Sequence, residues 1–353
     1  MKIKAPGRVE LEIEASNRSY VIEILDGIFT PLSYEDLTGF KLRGTPNFQF
    51  PALSGRQIWV DDVDIGSTTL IIPPDCAMLT CSLVALFVGG WLPPGLVIQD
   101  NVTFILDRNC PAVLKNIARR KPDDYAHFLV TEPVRINALC CAWEGANATT
   151  PTDCEVEQEI LRVYRSLSKI APRALLSPAL KAGKNAIVGL LKDHQHEMLR
   201  AMSFLQEASQ RFFSTPFSRA QRTQLTIEVF ELAKRHQIIP GSLLLFCALS
   251  HIWANQGSSP ASRVCKFNKA HEPMISYNAA ADLRSLEFLM ALHKAYPARP
   301  PALCTQDKYL ALLWLGMNFS LREDGVMGTD PRPELRGDMP ADVFFTWQDL
   351  KPN

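Results

Sequence analysis

The chain has 353 residues, 47% of them hydrophobic and 21% charged, a balance that builds a real core and excludes a largely disordered protein. Lys+Arg and Asp+Glu both number 37, so the formal net charge is zero. A protein that coats nucleic acid by bulk charge is excluded; a nucleic-acid partner would need a local basic patch, or a site whose sign a bound metal changes.

Cysteines stand at positions 76, 81, 110, 140, 141, 154, 247, 265 and 304, and no CxxC pair occurs. Neither a zinc module nor a disulfide framework is indicated. Most of these thiols lie in apolar runs, as Cys140 and Cys141 do in Leu139–Trp143, which suits a reducing cytoplasm. Met1–Gly7 carries charge but no apolar run, so no secretory signal is expected there. The sequence holds no G-x-S-x-G and no Walker A loop, which removes the commonest signatures of serine hydrolases and of P-loop enzymes.

In chain order, residues 1–72 read as β-rich. Val9, Leu11 and Ile13 alternate with Glu10, Glu12 and Glu14, the pattern of a strand with one wet face. Tyr20–Leu25 and Ile58–Val63 are further candidate strands. Asp61, Asp62 and Asp64 lack the spacing of a calcium loop and read as a solvated turn. Ala77–Leu92, ended by Pro93–Pro94, is the most apolar run; it is shorter than the roughly 20 residues a bilayer needs and predicts a buried helix, with no stable membrane span.

Val102–Asp107 reads VTFILD, apolar or β-branched until its last residue. Such a run suits a central parallel strand covered on both faces. Asp107 then stands at a carboxyl end, where open α/β sheets bind their ligands. Arg135–Glu144 predicts a helix, since Ile136, Leu139, Cys140 and Trp143 follow helical spacing. Glu144 falls at the edge of that buried face, and Gly145 stops the helix.

Helical periodicity then covers Glu155–Ile170, Asn185–Phe213, Ser218–His236 and Ser242–Gln256, with Ser218 as an N-cap and Pro172, Pro178, Pro216 and Pro240–Gly241 as breaks. Ser276 or Asn278 can cap a helix reaching Ala295, which places Asp282 in its first turn on the face of Leu286 and Leu289. Ala302–Thr305 reads as a short strand, Asp307 follows its end, and Lys308–Met317 reads as a helix. Val343–Trp347 is a last strand candidate.

Four acids therefore lie at element ends or on docking faces: Asp107, Glu144, Asp282 and Asp307. Brought together, they would raise one another's pKa. A divalent cation removes that conflict, and Mg²⁺ or Mn²⁺ favours carboxylate oxygens and water. Bound, it would supply a nucleophile from water and stabilise charge on phosphate oxygens.

Two stretches resemble the PIN-like nucleases. Val102–Asn109 (VTFILDRN) looks like their opening strand with the first catalytic acid at its end, and Asp282–Lys308, closing on TQDK, looks like their second half. Glu144 fits the place of the second acid. The resemblance covers residues 98–150 and 273–320. It implies a Rossmann-like parallel sheet and endonucleolytic cleavage of RNA, less often DNA, with Mg²⁺ or Mn²⁺. It also implies Asp107, Glu144, Asp282 and Asp307 as catalytic metal ligands, supported by Asn109, Thr305 and Lys308. Many members are toxins restrained by a partner, and some relatives serve phage defence. The sequence departs from compact members by a long helical stretch after Glu144 and by its N-terminal β region.

The expected architecture is α/β, a PIN-like Rossmann-type parallel sheet with an inserted helical subdomain and an N-terminal β-rich region. Residues 1–97 form that region and end in the apolar helix; 98–154 and 273–353 form the two parts of the core, and 155–272 the helical insertion. Each site residue has a plainer reading. Asp107 can cap a turn, Asp307 can start an Asx turn, and Asp282 can be a favourable first-turn acid. Asn109 can orient a ligand water or cap a helix. Arg108 can reach phosphate or pair with an acid. Lys115, Arg119, Arg120 and Lys121 can track a nucleic-acid backbone or form a solvated face. Glu155 and Glu287 are reserve acids, and Glu287 is placed to pair outward. His194 and His196 are two apart on a helix and do not share a face.

The expected function is a cytoplasmic metal-dependent nuclease, a toxin or defence effector, with nucleic acid and a protein regulator or antitoxin as partners and a homo-oligomer as one arrangement. The alternatives are a non-catalytic interaction protein on a degenerate PIN-like scaffold, and a membrane-associated effector through Ala77–Leu92.

Overall fold

The computed structural model describes residues 2–4, 8–15, 18–25, 28–29, 31–39, 50–60, 63–72, 81–97, 102–119, 124–138, 140–141, 152–177, 180–212, 217–254, 259–296, 301–321 and 327–349. The chain divides into two compact units: Met1–Ala138, Val163–Pro178 and Ala295–Lys308 make one, and Leu139–Arg162, Ala179–Lys294 and Tyr309–Asn353 make the other. The helical part expected at 155–272 thus gives Val163–Pro178 to the sheet unit, while everything after Lys308 clusters with the helices.

The first unit holds two sheets. In chain order its opening elements are β1 (Lys2–Lys4), β2 (Arg8–Ala15), β3 (Arg18–Leu25), β4 (Ile28–Phe29), α1 (Tyr34–Gly39), β5 (Phe50–Val60) and β6 (Val63–Ile72). The strands pair antiparallel in the order β1-β2-β3-β5-β4, with β6 on β5. The alternating Val9–Glu14 run lies in β2, as its period of two dictates. The candidate strand Ile58–Val63 straddles a hairpin, for β5 ends at Val60, which pairs with Val63 at the start of β6. Asp61 and Asp62 lie outside the described residues.

The second sheet comprises β7 (Val84–Phe87), β8 (Gly90–Leu92), β9 (Thr103–Leu106), β10 (Arg135–Asn137), β11 (Leu175–Leu176) and β12 (Pro301–Thr305), ordered β11-β10-β9-β12-β7-β8. The pairs β11–β10, β10–β9 and β9–β12 are parallel, and β12–β7 and β7–β8 are antiparallel. The VTFILD run is the central strand. Phe104, Ile105 and Leu106 are all buried, as are the residues of β12. Burial of each such large side chain contributes about 1.5–3 kcal/mol.

The apolar run expected as a buried helix is a buried hairpin in its described part. Phe87 pairs with Gly90 across Val88–Gly89, and Gly89 takes φ +93°, a value that glycine adopts without strain. Gly90 is also needed for space, since a Cβ there would come within 2.5 Å of Pro31 Cβ. The close approach lets Trp91 exchange backbone bonds with Leu32 and give its indole N–H to the Ser33 carbonyl at 2.9 Å, which docks α1 on the sheet. Apolar composition alone does not separate a buried strand from a buried helix.

The helix expected over Arg135–Glu144 is likewise corrected. Arg135–Asn137 is β10, in register with Thr103–Ile105 of β9. A buried strand residue, Ile136, and the buried, helical Cys140 and Cys141 together imitate one helical face. Glu144 and Gly145 lie outside the described residues.

The helices, in chain order after α1, are α2 (Cys110–Arg119), α3 (Phe128–Thr131), α4 (Asp153–Ile170), α5 (Leu180–Arg211), α6 (Arg219–Arg235), α7 (Leu243–Trp253), α8 (Pro260–Cys265), α9 (Pro273–Ala295), α10 (Lys308–Met317), α11 (Pro333–Arg336) and α12 (Ala341–Asp349). A short β13–β14 hairpin (Phe319–Leu321, Met327–Thr329) follows α10. Two differences from the sequence reading stand out. Helix α9 starts at Pro273, so Asp282 lies mid-helix and not in the first turn, and Ser276 is buried inside it with its hydroxyl on the Glu272 carbonyl. Val343–Trp347 lies in α12 and is not a strand. Ser218 caps α6 in a full capping box: its hydroxyl accepts the Gln221 N–H, and the Gln221 side chain accepts the Ser218 N–H at 2.8 Å. None of the described cysteines is disulfide-bonded, and all but Cys154 are buried.

Two substitutions test this account by denaturant midpoint. Phe104→Ala should cost about 3–5 kcal/mol through the cavity it leaves. Ser218→Ala should cost about 1 kcal/mol, confined to α6.

Candidate active site at the ends of two parallel strands

The four parallel strands run β11-β10-β9-β12 across the sheet. From β9 the chain moves to β10 and then β11 on one side, and returns much later as β12 on the other. The boundary between β9 and β12 is therefore the topological switch point, the place where open α/β sheets bind their ligands. Leu106 of β9 pairs with Cys304 of β12, so the next residues, Asp107 and Thr305, emerge side by side.

Asp107 is 2% exposed, and a charge so buried requires donors. Its backbone N–H continues the ladder to the Cys304 carbonyl at 3.0 Å. One carboxylate oxygen accepts the Arg108 N–H at 2.8 Å, and the other accepts the Thr305 hydroxyl at 2.8 Å. The Thr305 oxygen in turn accepts the Asp307 N–H at 3.0 Å. One hydroxyl thus fixes the buried acid and the loop that carries the exposed one. Burial, and then the negative charge of Asp107, push the Cys304 thiol well above its ordinary range. The Cys110 thiol donates to the Cys304 carbonyl at 3.0 Å, tying the start of α2 to β12.

Lys308 follows Asp307 and opens α10. Its ammonium donates to the Thr38 carbonyl at 2.8 Å, in the last turn of α1, where a cation meets free carbonyls. Partial burial lowers its pKa. Asn109 precedes α2, its carbonyl accepts the Val113 N–H at 3.3 Å, and its side chain is exposed. Lys115 and Arg119 are exposed and four residues apart on α2, hence on one face; Arg120 and Lys121 lie outside the described residues.

Asp107, Thr305 and the Asp307 backbone are therefore linked within the sheet unit, while the Lys308 ammonium is turned to the Thr38 carbonyl. Asp282 is half-buried on α9 and belongs to the helical unit. Among the described residues, no three His, Cys, Asp or Glu side chains form a group that could hold a metal ion. The donors present at the switch point are hard oxygens, the class that suits Mg²⁺ or Mn²⁺.

The reserve acids have structural roles. Glu155 closes a capping box with Thr152, accepting its N–H at 2.7 Å. Glu287 bonds Arg284 at 2.8 Å, and the same guanidinium also bonds Glu197, which takes His194 at 3.0 Å. Burial, against the pull of Arg284, raises the Glu287 carboxyl. Sequence reading did not single out Asp124, which is buried and accepts the Ala126 N–H at 2.8 Å. An Asp three residues after the Lys121–Pro122 step is its one local signal.

Thr305→Val removes the donor to Asp107 and the acceptor for Asp307 while keeping shape. It should cost about 1–3 kcal/mol in thermal unfolding, with Thr305→Ser close to the parent. Comparison of the chain with family models, with curated proteins and with solved structures returns no match.

Proposed function

We propose that the chain is a metal-dependent endonuclease on a PIN-like sheet, hydrolysing phosphodiester bonds in nucleic acid, RNA before DNA, and acting as a toxin or phage-defence effector. One observation carries the reading: an acid at the end of the central parallel strand, beside the topological switch point, whose partner Thr305 hydroxyl also accepts the backbone N–H of a second acid, Asp307. Carboxylates at such a place suit a cation and a phosphate together, and few other chemistries need both acids there.

In this reading Asp107 and Asp307 would hold Mg²⁺ or Mn²⁺, which when bound would supply an activated water and neutralise charge on the scissile phosphate. By the family pattern Glu144 and Asp282 would be further ligands; Glu144 lies outside the described residues and Asp282 belongs to the helical unit. Thr305 keeps the Asp107 carboxylate in one rotamer, the outer support that ligating carboxylates need. The amino end of α2 begins just beyond Asp107 with no acid in its first turn and so favours an anion. Arg108, Lys115 and Arg119 would track the backbone, which makes binding salt-dependent. A protein regulator or antitoxin, and a homo-oligomer, belong to the same proposal.

A second reading is an interaction protein without catalysis. It is favoured by the burial of Asp107 and by the bonds on both its oxygens, which serve equally to pin two strand ends.

A cleavage assay on single-stranded RNA and DNA, with Mn²⁺ or Mg²⁺ and the full chain, separates the two. The nuclease reading expects Asp107→Asn and Asp307→Asn each to lose about two orders of magnitude or more in rate at retained fold. Thr305→Val should lose about 10–100-fold. Full activity in both aspartate variants overturns the site, and a parent chain that cleaves neither substrate with either ion favours the interaction reading.

A further inference from the structure

The helical unit buries imidazoles that the proposed chemistry does not use. His251, on α7, is 0% exposed. Its ring lies among those of Phe212, Phe217 and Phe267, with centroids 5.3, 6.1 and 5.2 Å away. Phe267 stacks at 6.2 Å on a second imidazole, His271. One phenyl ring therefore contacts both histidines, and everything between Ser259 and His271 is fastened around it.

Counting protons fixes the state of the His251 ring. Its Nδ1 meets the Ser262 hydroxyl at 2.8 Å, Ser262 meets Ser259 at 3.0 Å, and Ser259 meets Ser250 at 3.5 Å. Ser250 donates its own proton to the Leu335 carbonyl at 2.6 Å. Two hydroxyl protons then remain for three contacts. All three are satisfied only if Ser259 donates to Ser250, Ser262 donates to Ser259, and Nδ1–H donates to Ser262. The lone pair is left on Nε2, which has no hydrogen-bond partner. A proton added there places charge among phenyl rings.

The groups facing the two rings do little to offset that charge. The Phe212 carbonyl favours a charged His251, but burial outweighs it and lowers the ring's pKa to about 4. His271 is lowered too, by burial first and also by the Lys266 ammonium, against the Lys266 and Cys265 backbone. Its ring nitrogens meet the Lys266 carbonyl and the Ser276 hydroxyl, both at 3.3 Å. Glu272 follows it in the chain and is exposed. Among the described residues, no carboxylate bonds either imidazole.

We propose that Ser259–His271, with α8 inside it, is an acid-released clasp: it is closed while His251 and His271 are neutral and opens when they take up protons. The sign is that of a depressed histidine. For His251 the open form takes up a proton near the ordinary value of 6.5 and the closed form only near 4, and His271 is shifted in the same direction, so closure is complete above pH 6.5 and weakens as pH falls. For His251 alone this amounts to on the order of a hundredfold in the opening equilibrium by about pH 4.5.

Hydrogen–deuterium exchange on the full chain from about pH 7 to about pH 4.5, corrected for intrinsic rates, tests the clasp. Protection of 259–271 should fall on the order of a hundredfold more than protection of β9. The excess should vanish in a His251→Asn/His271→Asn variant, whose amides keep a donor at the Nδ1 place and do not titrate. An excess that persists in that variant, or no excess in the parent chain, overturns the proposal. Imidazole shifts of the parent chain give a readout that does not depend on the variant folding. A His251 midpoint at or above 6.5 with the segment still protected overturns the clasp, whereas a midpoint near 4 that tracks loss of protection supports it.

Discussion

A strand that is apolar on both faces must be covered on both faces, and β9, buried at Phe104, Ile105 and Leu106, sits where such strands belong, between two parallel neighbours inside the sheet. The demand sets the topology. Parallel neighbours need long connections, so β10 and β12 are separated from β9 by helical segments and not by tight turns. It also sets the chemistry at the strand's end. An acid directly after a buried strand cannot reach bulk water, so it takes donors from the next strand's end. The Thr305 hydroxyl and the Arg108 N–H meet that need.

Asp107 and His251 show the two ways in which the molecule buries a titratable group. Asp107 has donors on both oxygens, and its charge is felt by the Cys304 thiol below it. His251 has the Ser262 hydroxyl on one nitrogen, and its burial among phenyl rings outweighs the pull of the Phe212 carbonyl, so it is buried neutral. A satisfied charge stiffens the place where it sits, whereas a half-satisfied neutral ring makes its surroundings sensitive to protons. The first sits at the sheet's switch point and the second inside a helical fastening, and each suits its place.

Much of the sheet was legible where one local rule dominated. The unbroken apolar run announced a central parallel strand, and Asp107 stands buried at its end. Lys308–Met317 was bounded by an acid before it and a loop after it, and α10 has those bounds. The N-terminal alternation of Val9–Glu14 was equally direct. The failures share a cause. Ala77–Leu92 is apolar without period, and only the Gly89–Gly90 pair, with its positive φ and its contact to Pro31, made a hairpin of it. In Arg135–Glu144 a helical spacing arose from a strand residue followed by a helical turn. The start of α9 was misplaced because Ser276 resembles a cap, yet it is buried and bonds the Glu272 carbonyl behind it. Nothing in the local sequence marks His251 and His271 as neighbours of one ring, since they meet only through the packing of α7, α8 and the start of α9.

Zero net charge hides a local pattern that bears on function. Neither α2 nor α10 carries an acid in its first turn, although acids are favoured there. Each is preceded instead by a site acid, Asp107 before α2 and Asp307 before α10. The acid that the helix dipole favours thus stands just before each helix and not within its first turn. Lys115 and Arg119 then line one face of α2 a few turns away. An exposed basic pair on the helix that follows Asp107 is local charge that a net charge of zero conceals.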